Sequence, residues 1–452
     1  MLSASSPVAE HFDLVIRGAR IVTGEGTFAG AVGVRGSKIA AVGDLPGATA
    51  DEVVEAGGLH LLPGFIDTQV HFREPGMEHK EDLESGSRAA LFGGVTTYFE
   101  MPNTNPTTTT LDRLQDKLDR AAGRSWVHYA FFFGAASDNL ETLREAEQLP
   151  GTPGIKMFVG SSTGSLLVEN EDDVRKVLQN GGRPMSIHSE QEARLRERKN
   201  ALATGAHVRE HPNIRDAEAA RLSTELLIQL CEETGRPIHI LHISTAEELP
   251  MLAEAKRRGL PVTCEVTPQH LWFEASRYED LGTRLQMNPP VRSEAHRAAI
   301  QAAMEAGLFD VFGSDHAPHT QEEKAKAYPD SPSGMPGVQT ILPVLLTLVQ
   351  REWLSLEKLV RMGCERPAEL FGIRGKGRIT PGYDADLVLL DPHAPFLVEP
   401  EWLQSKCGWS PYEGETLFGQ PQMIWVAGRL ALESGTLVGS PSGQVVEFDW
   451  KS

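Results

Sequence analysis

Apolar and polar positions along the 452-residue chain change rhythm twice. Up to about residue 60 the apolar residues come in short β-branched runs broken by glycine. Phe12-Asp13-Leu14-Val15-Ile16-Arg17-Gly18 and Arg20-Ile21-Val22 are followed by runs at 31–34 and 38–42, on either side of Gly36-Ser37. The same texture returns near the other end, in Ala385-Asp386-Leu387-Val388-Leu389-Leu390 and Met423-Ile424-Trp425-Val426-Ala427-Gly428. Between 62 and 371, short apolar runs alternate with longer amphipathic stretches. The runs at 64–71, 95–101, 127–133, 155–159, 184–188, 238–242, 262–266 and 310–313 predict strands. The stretches at 80–92, 111–122, 216–234, 246–258 and 294–306 predict helices. Eight strands alternating with helices form the (β/α)8 pattern, and nearly continuous apolar runs suit parallel strands buried on both faces. The expected chain is therefore α/β: a TIM-like barrel over 63–372 between two strand-rich ends, 1–62 and 373–452.

Composition narrows the function classes. With 43 Lys and Arg against 62 Asp and Glu, the formal net charge is −19. That balance speaks against sequence-independent nucleic-acid binding, which rests on cations neutralising phosphates. It leaves open a locally positive pocket for a small anion. The four cysteines (Cys231, Cys264, Cys364 and Cys407) are scattered without a CxxC pair, as expected of buried thiols in a reducing compartment. The opening MLSASSPVAEHFDL lacks a basic segment followed by an apolar one, and the apolar run 341–349 is interrupted by Pro343 and too short to span a bilayer. The expectation is a cytoplasmic protein that binds neither membrane nor nucleic acid.

Candidate chemistry gathers at one end of the predicted strands, where barrel enzymes keep their sites. The first strand runs into Gln69-Val70-His71-Phe72-Arg73, the fifth ends in His188, the sixth in His242, and the eighth leads into Asp315-His316-Ala317-Pro318-His319. Alternation along a strand puts Gln69, His71 and Arg73 on one face. Imidazoles and a carboxylate are ligands for a Zn-type ion that keeps a position open for water. Lys156 sits among Ile155, Met157, Phe158 and Val159. A desolvated lysine has a larger neutral fraction, and a neutral amine takes up carbon dioxide to give a carbamate able to bridge two metals.

Three segments together carry a resemblance: Pro63-Gly64-Phe65-Ile66-Asp67-Thr68-Gln69-Val70-His71-Phe72-Arg73-Glu74-Pro75-Gly76, Met101-Pro102-Asn103-Thr104-Asn105-Pro106, and Ser314-Asp315-His316-Ala317-Pro318-His319. The chain resembles the amidohydrolase superfamily and, within it, the longer bacterial and multifunctional-enzyme type of dihydroorotase, over nearly its whole length, which implies that the two ends, 1–62 and 373–452, together form a small β-sandwich. The resemblance implies a zinc-dependent, reversible cyclisation of N-carbamoyl-L-aspartate to dihydroorotate in pyrimidine synthesis. It implies His71 and Asp315 as ligands of a first zinc, His188 and His242 as ligands of a second, and carbamylated Lys156 as the bridge. Asp315 is also the implied general acid/base. Arg73, Asn103 and His319 are the implied substrate-carboxylate clamp, with Asn288 and the backbone of Ser333 and Gly334 as further contacts. A homo-oligomer, and aspartate transcarbamoylase as a partner enzyme, are further implications.

Two departures stand out. Gln69 occupies a position where the family usually has His, and a neutral amide oxygen is a weaker Zn ligand, so the first metal is expected to be loosely held, differently coordinated or absent. In the loop after the fourth strand, Ser161-Ser162-Thr163-Gly164 replaces the Asp-Asp-Gly of many bacterial relatives, which leaves the bridging role to Lys156. Alternatives are a hydantoinase or allantoinase, whose substrates need no carboxylate clamp, and a non-catalytic partner of aspartate transcarbamoylase. Of the other histidines, His239 is expected to share a face with His242 without ligating. His270 is expected to pack, and His79, His207 and His211 to be solvated, as are Glu141, Glu145 and Glu147. The stretch 321–335 is a candidate lid.

Overall fold

The computed structural model of the chain describes residues 10–160 and 166–450, so the Ser161–Gly164 loop lies outside the described residues. Five strands open it: β1 (His11–Thr23), β2 (Gly26–Arg35), β3 (Lys38–Gly43), β4 (Thr49–Glu55) and β5 (His60–Pro63). The last strands are β15 (Leu387–Leu390), β16 (Pro395–Leu397), β17 (Thr416–Phe418), β18 (Pro421–Val426), β19 (Arg429–Glu433) and β20 (Thr436–Leu437). Between them lie β6 (Phe65–Val70), β7 (Val95–Glu100), β8 (His128–Phe131), β9 (Phe133–Gly134), β10 (Ile155–Val159), β11 (Met185–Ser189), β12 (Ile238–Ile240), β13 (Val262–Val266) and β14 (Val311–Phe312).

The two chain ends share one nine-stranded sheet in the order β20-β19-β18-β15-β5-β1-β2-β3, with β4 added beside β1. β5 and β15 join the halves as an antiparallel pair, Leu61 opposite Leu389. Their apolar faces make one core from both ends, in which Ile16, Ile21, Val32 and Leu61 pack with Leu387, Leu389 and Trp425. Each fully buried side chain of this size is worth about 1.5–3 kcal/mol.

β6–β7–β8 form one parallel sheet and β9 to β14 another. All six residues of β6 and of β7, and all five of β10 and of β11, are buried, as parallel strands covered on both faces are. A parallel bridge between Val70 and His316 links the end of β6 to the chain just past β14, and the His71 amide donates to the His316 carbonyl at 2.7 Å.

The strands fall where the sequence predicts them but are trimmed at the functional end. β6 stops at Val70, β12 at Ile240 and β14 at Phe312, because Arg73, His242 and Asp315 take left-handed backbone angles of φ 67°, 38° and 45°. Non-glycine residues seldom adopt this conformation, and when they do they concentrate at functional sites. The first helix is corrected in a similar way: Asp82 accepts from the Ser85 amide, the helix begins at Leu83, and Lys80 is left outside it.

Asp386, just before β15, ties the shared sheet to the parallel strands. Its carboxylate accepts from His128 Nε2 on β8 at 3.0 Å, from the Ala427 amide at 2.7 Å and from Lys376 Nζ at 2.7 Å. The tail returns to the same place, where the Tyr129 amide donates to Gln444 and the Val446 amide to Tyr129. No helix among the described residues is long and apolar enough to cross a membrane.

Candidate active site

Beyond the ends of β6, β10, β11, β12 and β14 the chain encloses a cavity of about 420 Å³, within the range of small-molecule sites. The structure brings together in it all five sequence-predicted metal ligands, the clamp residues Arg73, Asn103 and His319, and Asn288, Ser333 and Gly334. Gln69 lines it too.

Two pairs of side chains organise the floor. His188, on β11, and His242, just past β12, present Nδ1 and Nε2 to each other at 3.0 Å. The other nitrogen of His188 lies 2.8 Å from Glu190 Oε2, and Glu190 is in turn paired with Arg215. Burial disfavours charging either imidazole, so both tend to the neutral form that binds metal. The second pair is His71 and Asp315, with Nε2 and Oδ1 3.2 Å apart. His71 Nδ1 lies 2.7 Å from Asn103 Oδ1, so both ring nitrogens face oxygen acceptors, and a cation between Nε2 and Asp315 would let a neutral ring keep its proton on Nδ1.

Lys156 rises from β10 with its Nζ 4.4 Å over the Phe158 ring, and desolvation pulls its pKa down to about 7. Beneath these groups are two further buried carboxyls. Asp67 accepts from the amides of Gln69 and Ser314, and Glu265 accepts from the His242 amide and the Thr68 hydroxyl. Burial raises Asp67 to about 7, and burial with the charges of Asp67 and Asp315 raises Glu265 to about 8. They hold the backbone of three ligand-bearing segments.

Whether the site suits a metal can be tested on its orphaned atoms. Lys156 Nζ, Gln69 Oε1 and His242 Nδ1 are buried without a hydrogen-bond partner. Such groups are costly to bury unsatisfied, and all three residues line the cavity. Among the described residues no three His, Cys, Asp or Glu side chains already form an ion-binding group. Lys156 as a carbamate would add the missing oxygen donors beside His188 and His242. The set fits a Zn-type ion on that side. The fit is poorer around His71, because Gln69 turns its amide NH₂ to Asp315 Oδ1 at 3.0 Å and occupies one of that carboxylate's lone pairs.

The opposite wall is cationic. Arg73 is fixed by Nε donating to Pro318 at 3.1 Å, and His319 lies 3.3 Å from its Nη2. Lys80 reaches His319 Nδ1 at 3.2 Å. Lys324 spends all three ammonium protons on the carbonyls of Gln286, Pro332 and Gly334, at 3.1, 2.8 and 2.9 Å. It thereby pins the candidate lid against the cavity. Gly334 has φ 135° there, and a Cβ would stand 2.4 Å from the Ala317 carbonyl oxygen, so only glycine fits.

Some expectations need correction. His211 is buried rather than solvated, because Nε2 lies 2.9 Å from the Met287 carbonyl and 3.0 Å from Asn288 Oδ1. Glu147 is buried as well, since it pairs with Arg236 and accepts from the Gly182 amide at 2.8 Å. His239 does not share the face of His242, contrary to expectation: three residues earlier on the chain, it turns away from the cavity to Thr263 Oγ1 at 3.0 Å, whereas His270 packs against Thr267 and Pro289 as expected. Sequence reasoning missed Glu190, Lys80 and Lys324. Only Glu190 had a local signal, two residues after His188 on the same strand face.

A model of the Amidohydrolase family matches residues 60–431. The dihydroorotase of Methanosarcina mazei is 33% identical over 444 residues, covering 94% of this chain and 96% of that protein. An allantoinase of Bacillus velezensis is 32% identical over 435 residues, with 94% and 95% covered. Among solved structures, the L-hydantoinase of Arthrobacter aurescens superposes with a TM-score of 0.91 at 29% identity, covering 96% of this chain and 99% of that one.

Proposed function

The chain belongs to the amidohydrolase family and acts on cyclic amides; from that premise we propose that it is a dihydroorotase, closing N-carbamoyl-L-aspartate to dihydroorotate and reopening it. The observation that carries this reading is the clamp set: the Arg73 guanidinium, with Asn103 and His319 as polar neighbours, faces the same cavity as Asp315, Lys156, His188 and His242. A guanidinium fork matches a carboxylate, which dihydroorotate bears on its ring and neither hydantoin nor allantoin does. We further read β6 to β14, with β8 and β9 as one interrupted strand, as one closed (β/α)8 barrel over 63–372 and the shared sheet as the framework of a sandwich from 1–62 and 373–452.

Lys156, His188 and His242 would hold one ion, and His71 with Asp315 a second, more weakly. Such an ion, when bound, acidifies water and polarises a carbonyl. The chain's own residues do the rest. Arg73 and His319 orient the substrate carboxylate, so that the ring amide faces Asp315. In ring opening, water adds to the amide carbon, the carbon–nitrogen bond breaks, and Asp315 relays the water's proton to the departing nitrogen. In closure the same carboxylate takes the proton from the attacking nitrogen and returns it to the leaving oxygen. Glu190, held by Arg215, fixes the His188 ring by its second nitrogen.

A hydantoinase or allantoinase reading is favoured by the relatives of those names at nearly equal identity. Turnover of dihydroorotate, hydantoin and allantoin measured side by side decides between them. The highest kcat/KM is expected on dihydroorotate, and a higher value on either other ring overturns the assignment. Turnover of none of the three by metal-loaded protein would favour a non-catalytic partner.

A further inference from the structure

Lys80 stands where no local motif placed it, in the loop before the Leu83–Phe92 helix, with its side chain 12% exposed. Its ammonium has two close partners: Glu323 Oε1 at 3.1 Å and His319 Nδ1 at 3.2 Å. An ammonium only donates, so the Nδ1 it faces must accept. The other ring nitrogen, Nε2, lies 3.1 Å from the Ser333 carbonyl oxygen, which only accepts. Both contacts demand the same tautomer, with the proton on Nε2. The opposite tautomer would send Nδ1–H to Glu323 Oε2 at 3.4 Å, but would set an N–H against the Lys80 ammonium and strip the Ser333 carbonyl of its donor.

The ring does not escape by charging, because it is buried and Arg73, Lys80 and Lys324 all oppose a second proton. The backbone cannot swing away either, since Trp409 Nε1 donates to the His319 carbonyl at 2.7 Å. The Nε2 proton then lies beside Arg73 Nη2, itself a donor, 3.3 Å away. Two neighbouring donors are satisfied together by an oxygen acceptor carrying negative charge, and poorly by a neutral ring edge.

We propose that Lys80 is a positioning residue for substrate recognition: it holds His319 in the Nε2–H form, so that the proton leaning on the Ser333 carbonyl can be shared, as a three-centre bond, with a carboxylate that Arg73 also binds. The inference rests on the clamp role assigned to Arg73 and His319 above. Glu323 completes the device, since its carboxylate keeps Lys80 charged and aimed.

The test combines ring spectroscopy with steady-state kinetics on the metal-loaded protein. In ¹⁵N-histidine-labelled enzyme, the His319 ring, assigned by difference from His319→Gln, is expected to show Nε2 protonated and Nδ1 bare. In Lys80→Met that signature is expected to shift toward Nδ1–H. KM for dihydroorotate is expected to rise about tenfold, with kcat changed much less. Lys80→Arg, again a pure donor, is expected to restore both. An Nδ1–H ring in the unaltered enzyme overturns the inference, as does a Lys80→Met enzyme with unchanged tautomer and KM. If dihydroorotate is not turned over at all, the proposed function falls, while the ring spectrum still decides the role of Lys80.

Discussion

Replacing Lys156 by Met removes the amine while keeping the length of the side chain, and it isolates what burial does to that group. Desolvation lowers the pKa from 10.5 to about 7, which leaves roughly half of the side chain neutral at pH 7. An ordinary lysine would be neutral about once in three thousand molecules. Only the neutral amine adds to carbon dioxide, so the fold raises the reactive fraction of this lysine about a thousandfold. Metal-free enzyme prepared by chelation and reloaded with zinc, with and without bicarbonate, tests the argument through metal content rather than activity. Bicarbonate is expected to raise the zinc retained by the unaltered protein. Lys156→Met is expected to be indifferent to bicarbonate and to bind zinc about 100-fold more weakly, having only His188 and His242 on that side. At a fixed concentration of dissolved carbon dioxide, the rate should climb with pH through about 7 and level off above it, because deprotonation is then complete. A rate still climbing toward pH 10, or a Lys156→Met protein that retains zinc as the parent does, would refute the reasoning.

Three further outcomes follow from particular contacts. Asp315→Asn is expected to lower kcat on dihydroorotate by about 10²–10⁴-fold with an unchanged circular dichroism spectrum, and a surviving rate would remove Asp315 as the proton relay. Gln69→Ala is expected to reduce bound zinc at the His71 and Asp315 side, because it removes Gln69 Oε1, a buried oxygen without a hydrogen-bond partner; two ions per chain by elemental analysis of both proteins would contradict this. Asp386→Asn breaks a buried pair and is expected to destabilise the fold by about 3–5 kcal/mol in urea unfolding at neutral pH. Burial opposes ionisation of Asp386, but the charges of His128 and Lys376 win and hold its carboxyl far below the ordinary 3.8. The sign follows: its stabilisation is complete above that unfolded value and is lost as pH falls below it. Unfolding curves from pH 6 down to pH 3 should therefore keep most of the difference between the two proteins.

Much of the site was legible because its residues lie on strands whose apolar runs are unmistakable. β10 and β11 are buried on both faces, so Lys156 and His188 are conspicuous as polar interruptions. The terminal sheet was legible for a similar reason, with the β-branched runs of β1 and β18 set off by glycine. What escaped notice depends on contacts between distant segments. His211 looks solvated beside Arg209 and Glu210 until Met287 is brought against it. Glu147 looks like one more surface acid until Arg236 closes on it. Lys80 follows the polar stretch Glu78-His79 and was assigned to a helix that the Asp82 cap begins later. Nor does periodicity announce a left-handed backbone at Arg73, His242 or Asp315, where neighbouring segments over-determine the angle.

The pairing of β5 with β15 also bears on how the molecule is made. A ribosome releases Leu61 long before Leu389, so β5 emerges with one edge unsatisfied and waits through the synthesis of every ligand-bearing strand. An open apolar edge recruits other chains, and slow long-range pairing prolongs that exposure. The central strands can therefore collapse while the terminal sheet is incomplete, and the closing of β15 on β5 is the step at which a nascent molecule ceases to be vulnerable to its neighbours.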